Sequence, residues 1–162
     1  MEQKHQIHTI APVYNEASRI LILGSFPSVK SREAGFFYGH LQNRFWKVLA
    51  NVFQTEVPGT IAEKKTFLLG HRVAVWDVIG QCEITGSSDS SIRNVVPNPI
   101  QEILDATKVE QIFVNGKKAE QLYKRYIYPE TKRNALCLPS TSPANASWNL
   151  EKLTEAWKII LG

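Results

Sequence analysis

The stretch Ile20-Leu21-Ile22-Leu23-Gly24-Ser25-Phe26-Pro27-Ser28 runs from four consecutive aliphatic residues into a turn of small residues and proline. Continuous rather than alternating apolarity predicts a strand covered on both faces, as in a parallel sheet. Three further runs repeat the pattern: Val73-Ala74-Val75-Trp76, Gln111-Ile112-Phe113-Val114 and Ala135-Leu136-Cys137-Leu138. All four are predicted to be buried strands.

Helical spacing fills the intervals. Phe45, Val48, Leu49, Val52 and Phe53 form one apolar stripe beside Trp46. Thr60 followed by Glu63 is a capping-box pattern for a helix over 60–67, and Asn98-Pro99 reads as the N-cap and first turn of a helix over 100–104. Ala119, Leu122, Tyr123 and Tyr126 mark another face, and Leu150, Leu153, Trp157, Ile160 and Leu161 a C-terminal one. Strands alternating with helices make parallel βαβ units with right-handed crossovers. The fold class expected is therefore α/β: one three-layer α/β/α domain over residues 1–162, with a central four-stranded parallel sheet. The longest irregular stretch expected is 83–98, rich in Ser and Gly, with Asp89 and Arg93.

With 162 residues, 43% hydrophobic and 21% charged, the chain is long enough to bury its own core. Nineteen Lys and Arg against fifteen Asp and Glu leave a net charge of +4, compatible with a polyanionic partner without requiring one. The apolar runs are strand-sized, and Met1-Glu2-Gln3-Lys4-His5 lacks the apolar stretch of a signal peptide. A cytoplasmic protein with no membrane association is expected. Cys82 and Cys137 form no Cys-x-x-Cys pair, and His5, His8, His40 and His71 are scattered, so no metal, cofactor or disulfide framework is predicted. Isolated histidines of this kind read as surface or capping residues.

Ligands of open parallel sheets bind beyond the carboxyl ends of the strands. Here those ends lead into Gly24-Ser25-Phe26-Pro27-Ser28, Asp77, Asn115-Gly116-Lys117-Lys118 and Pro139-Ser140-Thr141-Ser142-Pro143-Ala144-Asn145. Small residues permit close backbone approach, and N–H groups with hydroxyls can hold phosphate oxygens. The same residues also suit ordinary tight turns. Gly116-Lys117 lacks the upstream glycine of a P-loop, no Gly-x-Gly-x-x-Gly occurs, and Gly24-Ser25 is not a hydrolase nucleophile elbow, which weighs against nucleotide hydrolysis and serine esterase chemistry.

A second cluster, Gly35-Phe36-Phe37-Tyr38-Gly39-His40-Leu41-Gln42-Asn43-Arg44-Phe45-Trp46, places three successive aromatics in a glycine-flanked loop. They cannot all face inward, so at least one is available to cover a pocket or stack on a flat ligand. Asn43 opens the next helix and reads either as an N-cap or as a catalytic amide, two roles that can coexist.

In this order and spacing, these segments resemble the uracil-DNA glycosylase superfamily, and most of all its hypoxanthine-DNA glycosylase (DNA-deoxyinosine glycosylase) branch. The resemblance runs from about Arg19 to Trp157, with support from Val75-Trp76-Asp77-Val78 and Phe113-Val114-Asn115-Gly116. Many members carry an acidic or amide water activator in the first motif, where this chain has Phe26. Leu41 replaces a frequent proline, and Pro27-Ser28 a frequent Pro-Gly. The resemblance implies that Asn43 is the catalytic residue. Gly24, Ser25, Phe26, Pro27, Tyr38, Asp77 and Asn115 would form the base pocket, with Tyr38 and Phe26 sandwiching an extruded base. Asp77 reads as a base-facing group or as a cap, and Glu33 is the only other candidate pocket carboxylate. Ser28, Lys117, Lys118, Ser140, Thr141, Ser142, Pro143, Ala144 and Asn145 would contact DNA, with Asn145 or a neighbour entering the gap left by the flipped nucleotide.

The implied activity is hydrolysis of the N-glycosidic bond of hypoxanthine in DNA by a monomeric, monofunctional enzyme of base excision repair, nucleoid-associated when acting on DNA. Three alternatives stand beside it. They are removal of uracil, including from mismatches; a nucleic-acid-binding module without chemistry; and a small-molecule α/β enzyme using the same cleft.

Overall fold

The computed structural model describes residues 4–86 and 88–162. Along the chain run β1 (Lys4–Ile7), β2 (Ile20–Gly24), α1 (Val29–Ala34), α2 (Phe45–Val52), α3 (Ile61–Gly70), β3 (Val73–Asp77), β4 (Ile79–Ile84) and β5 (Arg93–Pro97). They are followed by α4 (Ile100–Ala106), β6 (Gln111–Asn115), α5 (Lys117–Leu122), α6 (Tyr128–Thr131), β7 (Ala135–Leu138) and α7 (Leu150–Trp157). A π-helical turn, Tyr123–Ile127, joins α5 to α6, and a 3-10 turn, Lys158–Leu161, extends α7.

The four predicted strands pair in parallel in the order β3-β2-β6-β7. Leu23 lies opposite Trp76 on one side and Val114 on the other, which aligns the carboxyl ends of three strands. After β2 the chain adds β3 on one side and β6 on the other. That reversal leaves a crevice beyond the strand ends, where open α/β sheets take ligands.

Strand alternation divides the core into two halves. Leu21, Leu23, Ala74, Ile112 and Val114 pack with α4, α5 and β4. Ile22, Val73, Val75 and Phe113 pack with Phe45, Val48 and Leu49 of α2, Leu68 of α3, and Leu153 and Trp157 of α7. These are the three layers. Leu21, Ile22 and Leu23 are wholly buried, each contributing about 2 kcal/mol relative to exposure. The α3 capping box forms in both directions, Thr60 Oγ1 accepting from Glu63 N and Glu63 Oε1 accepting from Thr60 N, each at 3.0 Å.

Four expectations are corrected. β7 is an edge strand rather than a fully buried one, and Leu136 on it is 42% exposed. Much of 83–98 is regular: β4 and β5 form an antiparallel pair that continues to β1, a second three-stranded sheet. Ser87 within it, like residues 1–3 of the expected domain, lies outside the described residues. Asn98 does not cap α4. It is buried, and its Nδ2 donates to the carbonyls of Asp77 at 2.9 Å and Ile79 at 3.0 Å, pinning the chain where it passes from one sheet to the other. Leu161 is 58% exposed, because the 3-10 turn carries it off the face that buries Leu153, Trp157 and Ile160. No helix among the described residues is long and apolar enough to cross a membrane.

Candidate active site

A cleft of about 170 Å³ opens at the carboxyl ends of β2, β3, β6 and β7. It is smaller than the roughly 300–1,000 Å³ of pockets that enclose drug-sized ligands, and suits one heterocycle rather than a whole nucleotide. Gly24, Ser25, Phe26, Pro27, Ser28, Tyr38, Asn43, Asp77, Asn115, Ser140, Thr141 and Ser142 all line it, joined by Ser31, Phe37 and Ile84. Segments separated by more than 100 residues thus meet at one place.

On one side Gly24 permits a close crossing. A Cβ there would lie 2.4 Å from Asp77 Oδ1 and 3.0 Å from Tyr38 Oη, so only glycine lets carboxylate and phenol converge over β2. Asp77 Oδ2 is 2.8 Å from His8 Nε2, and neither side chain is more than 5% exposed. The Ile10 N–H donates to His8 Nδ1 at 3.2 Å, which assigns the ring proton to Nε2 and makes the imidazole the donor to Asp77. Phe36 and Phe37 enter the core, whereas Tyr38 stacks on Phe45 with centroids 3.9 Å apart and turns its hydroxyl to the cleft. Tyr38 adopts a left-handed backbone, φ 52°, to do so. Burial first, and the Asp77 charge second, push its hydroxyl pKa well above the ordinary tyrosine value, so the phenol keeps its proton. Phe26 meets His8 edge-on, and Arg32 lies over its ring at 5.4 Å.

On the other side a chain of hydrogen bonds links four side chains, those of Tyr38, Asn115, Thr141 and Asn43. Thr141 N donates to Asn115 Oδ1 at 3.1 Å, and Asn115 Nδ2 donates to Thr141 Oγ1 at 3.0 Å and Tyr38 Oη at 3.3 Å. Thr141 Oγ1 donates to Asn43 Oδ1 at 2.8 Å, and the same oxygen accepts from Phe45 N at 3.0 Å. The N-cap of α2 is Arg44 rather than Asn43; one residue earlier, Asn43 accepts the Phe45 N–H in an Asx turn and forms a wall of the cleft.

The loop after β7 is held by residues far from it in sequence. Arg44 donates through Nη2 to the carbonyls of Ser142 and Asn145 and through Nη1 to that of Trp148, while Trp157 Nε1 donates to Pro139 O. Ser140 Oγ and Ser142 Oγ accept from backbone N–H groups two residues on, and Asn145 Nδ2 donates to Ser140 O. Pro143 and Ala144 are exposed at the tip. Ser28 caps α1, accepting from Ser31 N. Lys117 is exposed at the start of α5; Lys118 lines a separate hollow with Arg93 and Arg125, away from the cleft. Glu33 is also outside it, paired with Lys30 on the surface.

Sequence reasoning missed three contributors. His8, expected at the surface or as a cap, has a side chain only 1% exposed, and a contact across 69 positions leaves no periodicity to read. Nothing local in the sequence marks Arg44, whose acceptors are backbone carbonyls about 100 positions away. Ser31 is buried, and its Oγ accepts from Gly39 N at 2.9 Å; the bracket of Ser28 before α1 and Gly35 after it was the available signal.

A polar cleft at the switch point of a parallel sheet is where open α/β folds take ligands, and residues 11–161 match a family model: the chain belongs to the uracil DNA glycosylase superfamily. Among curated proteins it is similar to the hypoxanthine DNA glycosylase of Methanosarcina acetivorans, 33% identical over 153 residues, covering 91% of this chain and 93% of that one. It is also similar to the hypoxanthine DNA glycosylase of Methanosarcina barkeri, 29% identical over 110 residues, 67% of this chain and 70% of the relative. Among solved structures it resembles a solution NMR structure from Methanosarcina acetivorans described as a candidate uracil DNA glycosylase. That likeness has a TM-score of 0.78 and 26% identity, covering 94% of this chain and 97% of the other.

Proposed function

We propose that this chain is a DNA-deoxyinosine glycosylase, hydrolysing the N-glycosidic bond of hypoxanthine, the deamination product of adenine, in DNA and leaving an abasic site for base excision repair. The observation that carries the reading is the Asp77 carboxylate in the wall of a base-sized cleft, anchored by His8. A carboxylate only accepts hydrogen bonds. Hypoxanthine offers it an N1–H donor, whereas adenine presents a lone pair at the same atom and is repelled. The two relatives named hypoxanthine DNA glycosylase support the same assignment.

In the proposed reaction the C1′–N9 bond breaks with its electron pair passing to the base. Water oxygen bonds to C1′, and one of its protons ends on the released base. Positive charge gathers on the sugar and negative charge on the base, so electrostatic stabilisation of both decides the rate. Asn43 faces the reacting centre, Tyr38 and Phe26 hold the flipped base, and Gly24, Ser25, Pro27 and Asn115 complete the pocket wall. Ser28, Lys117, Ser140, Ser142, Pro143, Ala144 and Asn145 present hydroxyls, amides and charge to the DNA backbone and minor groove. Among the described residues no lysine lines the cleft, which favours direct hydrolysis over a Schiff-base route with strand scission.

Uracil carries the same imide N–H, and the description of the solved relative as a candidate uracil DNA glycosylase favours uracil release as the second reading. Single-turnover base release from duplexes containing deoxyinosine or deoxyuridine, followed by alkali to cut abasic sites, separates the two. Release from the inosine duplex, with scission only after alkali, is expected. Release from the uracil duplex alone moves the assignment to the second reading, and release from neither overturns both.

A further inference from the structure

The direction of every hydrogen bond around Asn43 is fixed by the backbone. The Phe45 N–H can only donate, so the Asn43 atom 3.0 Å away is the carbonyl oxygen Oδ1 and not the amide nitrogen. At the far end, the Thr141 N–H donates to Asn115, which identifies Asn115 Oδ1 in the same way and turns its Nδ2 toward Thr141 Oγ1. Having accepted there, the Thr141 hydroxyl sends its single proton to Asn43 Oδ1 at 2.8 Å. Thr141 is wholly buried, so no solvent competes for that proton. Asn43 Oδ1 has two lone pairs and two donors. Its acceptor capacity is filled inside the protein, and what Asn43 has left for the cleft it lines is its NH₂.

We propose that Asn43 acts as a hydrogen-bond donor to the departing base, with Thr141 as the positioning residue that holds its amide in that orientation. This rests on the glycosylase reading above and gives Asn43 a different task from water orientation. A carbonyl saturated by Phe45 and Thr141 cannot grip a water molecule. An NH₂ aimed at the base meets the negative charge that builds there as the C1′–N9 pair moves onto the ring. Fixed donors placed where charge develops strengthen as the bond stretches and need no reorganisation.

Asn43→Asp decides between the two tasks. One carboxylate oxygen can keep the bonds from Phe45 N and Thr141 Oγ1, while the other takes the place of the NH₂. Single-turnover release from a deoxyinosine duplex is to be compared for wild type, Asn43→Asp, Asn43→Ala, Thr141→Val and Thr141→Ser, with duplex affinity and melting midpoint recorded for each. Asn43→Asp is expected to fall with Asn43→Ala, at least about 100-fold below wild type, because an anion facing a developing anion is repulsive. An Asn43→Asp rate at or above wild type would mean that an oxygen is the working atom, and would overturn the proposal. Thr141→Val is expected to slow release about tenfold at unchanged duplex affinity, and Thr141→Ser, which keeps the hydroxyl, to restore it. Equal rates for Val and Ser would overturn the positioning role whether or not the Asp variant folds. Failure of the glycosylase reading looks different: wild type then releases no base.

Discussion

His8 Nε2 donates to Asp77 Oδ2 at 2.8 Å in a place where the two side chains are 1% and 5% exposed. The N-terminal segment is thereby tied to the carboxyl end of β3, and a nearly buried carboxylate has its partner. Removing the imidazole strands that oxygen. His8→Ala is expected to lower unfolding free energy by about 2–3 kcal/mol in urea titrations, within the range for hydrogen bonds to charged groups, and to weaken base release. His8→Gln, which keeps an N–H donor, should recover part of both. An Ala variant as stable as wild type would show that Asp77 has no need of His8.

Gly24 sits where two functional side chains cross. A methyl group there would press within 2.4 Å of Asp77 Oδ1, far inside van der Waals contact, and something must move. β2 is locked on both sides by β3 and β6, so the carboxylate moves rather than the backbone. Gly24→Ala is expected to cost about 100-fold in single-turnover release, the effect of misplacing a contacting group by about an ångström. Its circular dichroism spectrum should match wild type. Undiminished release would place Asp77 outside the chemistry.

The parallel sheet was legible because its signal is local: four apolar runs bounded by Gly24, Asp77, Asn115 and Pro139 mark both the strands and the ends that build the cleft. The second sheet left no such mark. β1 is Lys4-His5-Gln6-Ile7, mostly exposed, and β5 is half solvent-facing, so neither carries an apolar run. Asn98 shows the same limit at one residue. An asparagine before a proline and a helix reads as a cap, yet the carbonyls of Asp77 and Ile79, brought near by the strand switch, are better partners for its Nδ2. Asn43 was legible as a candidate, but its polarity was not. Its Oδ1 is filled by the Phe45 N–H and by the Thr141 hydroxyl, and the second of these donors comes from 98 positions away.

The two cysteines should separate cleanly. Cys82 is fully buried, and that burial pushes its thiol up from 9.0 to about 11, offset only in part by Arg32; Cys137 is exposed. At pH 8 a disulfide reagent should modify Cys137 alone, with Cys82 reacting only in denaturant. The shift also sets a pH dependence. The folded state holds the Cys82 proton up to about pH 11 while the unfolded chain releases it near 9, so the contribution is complete below pH 9 and lost between 9 and 11. Stability should fall by roughly 2–3 kcal/mol across that window from this group, and Cys82→Ala should flatten that part of the decline. Two thiols reacting at once in the native protein would contradict the burial.

Arg44 has a task that its charge alone would not suggest. Its guanidinium donates to the carbonyls of Ser142, Asn145 and Trp148, and its own N–H to that of Thr141, so one residue at the start of α2 holds the loop after β7 in shape. The arrangement is not free of cost, since Nε is buried without an acceptor, and the bonds to loop carbonyls offset that. Arg44→Met keeps the aliphatic stem and removes the donors. Hydrogen exchange in 142–148 should accelerate and duplex affinity should drop about tenfold. Release at saturating enzyme should stay within a few-fold of wild type, because Asn43 is held by Phe45 and Thr141 and not by the guanidinium. The salt dependence of affinity tells a loop brace from a phosphate contact. Losing a phosphate contact lowers the slope of log affinity against log salt by about one, while losing an internal brace leaves it unchanged. An unchanged slope with faster exchange is expected, and a shallower slope with unaltered exchange would reassign Arg44 to the DNA itself.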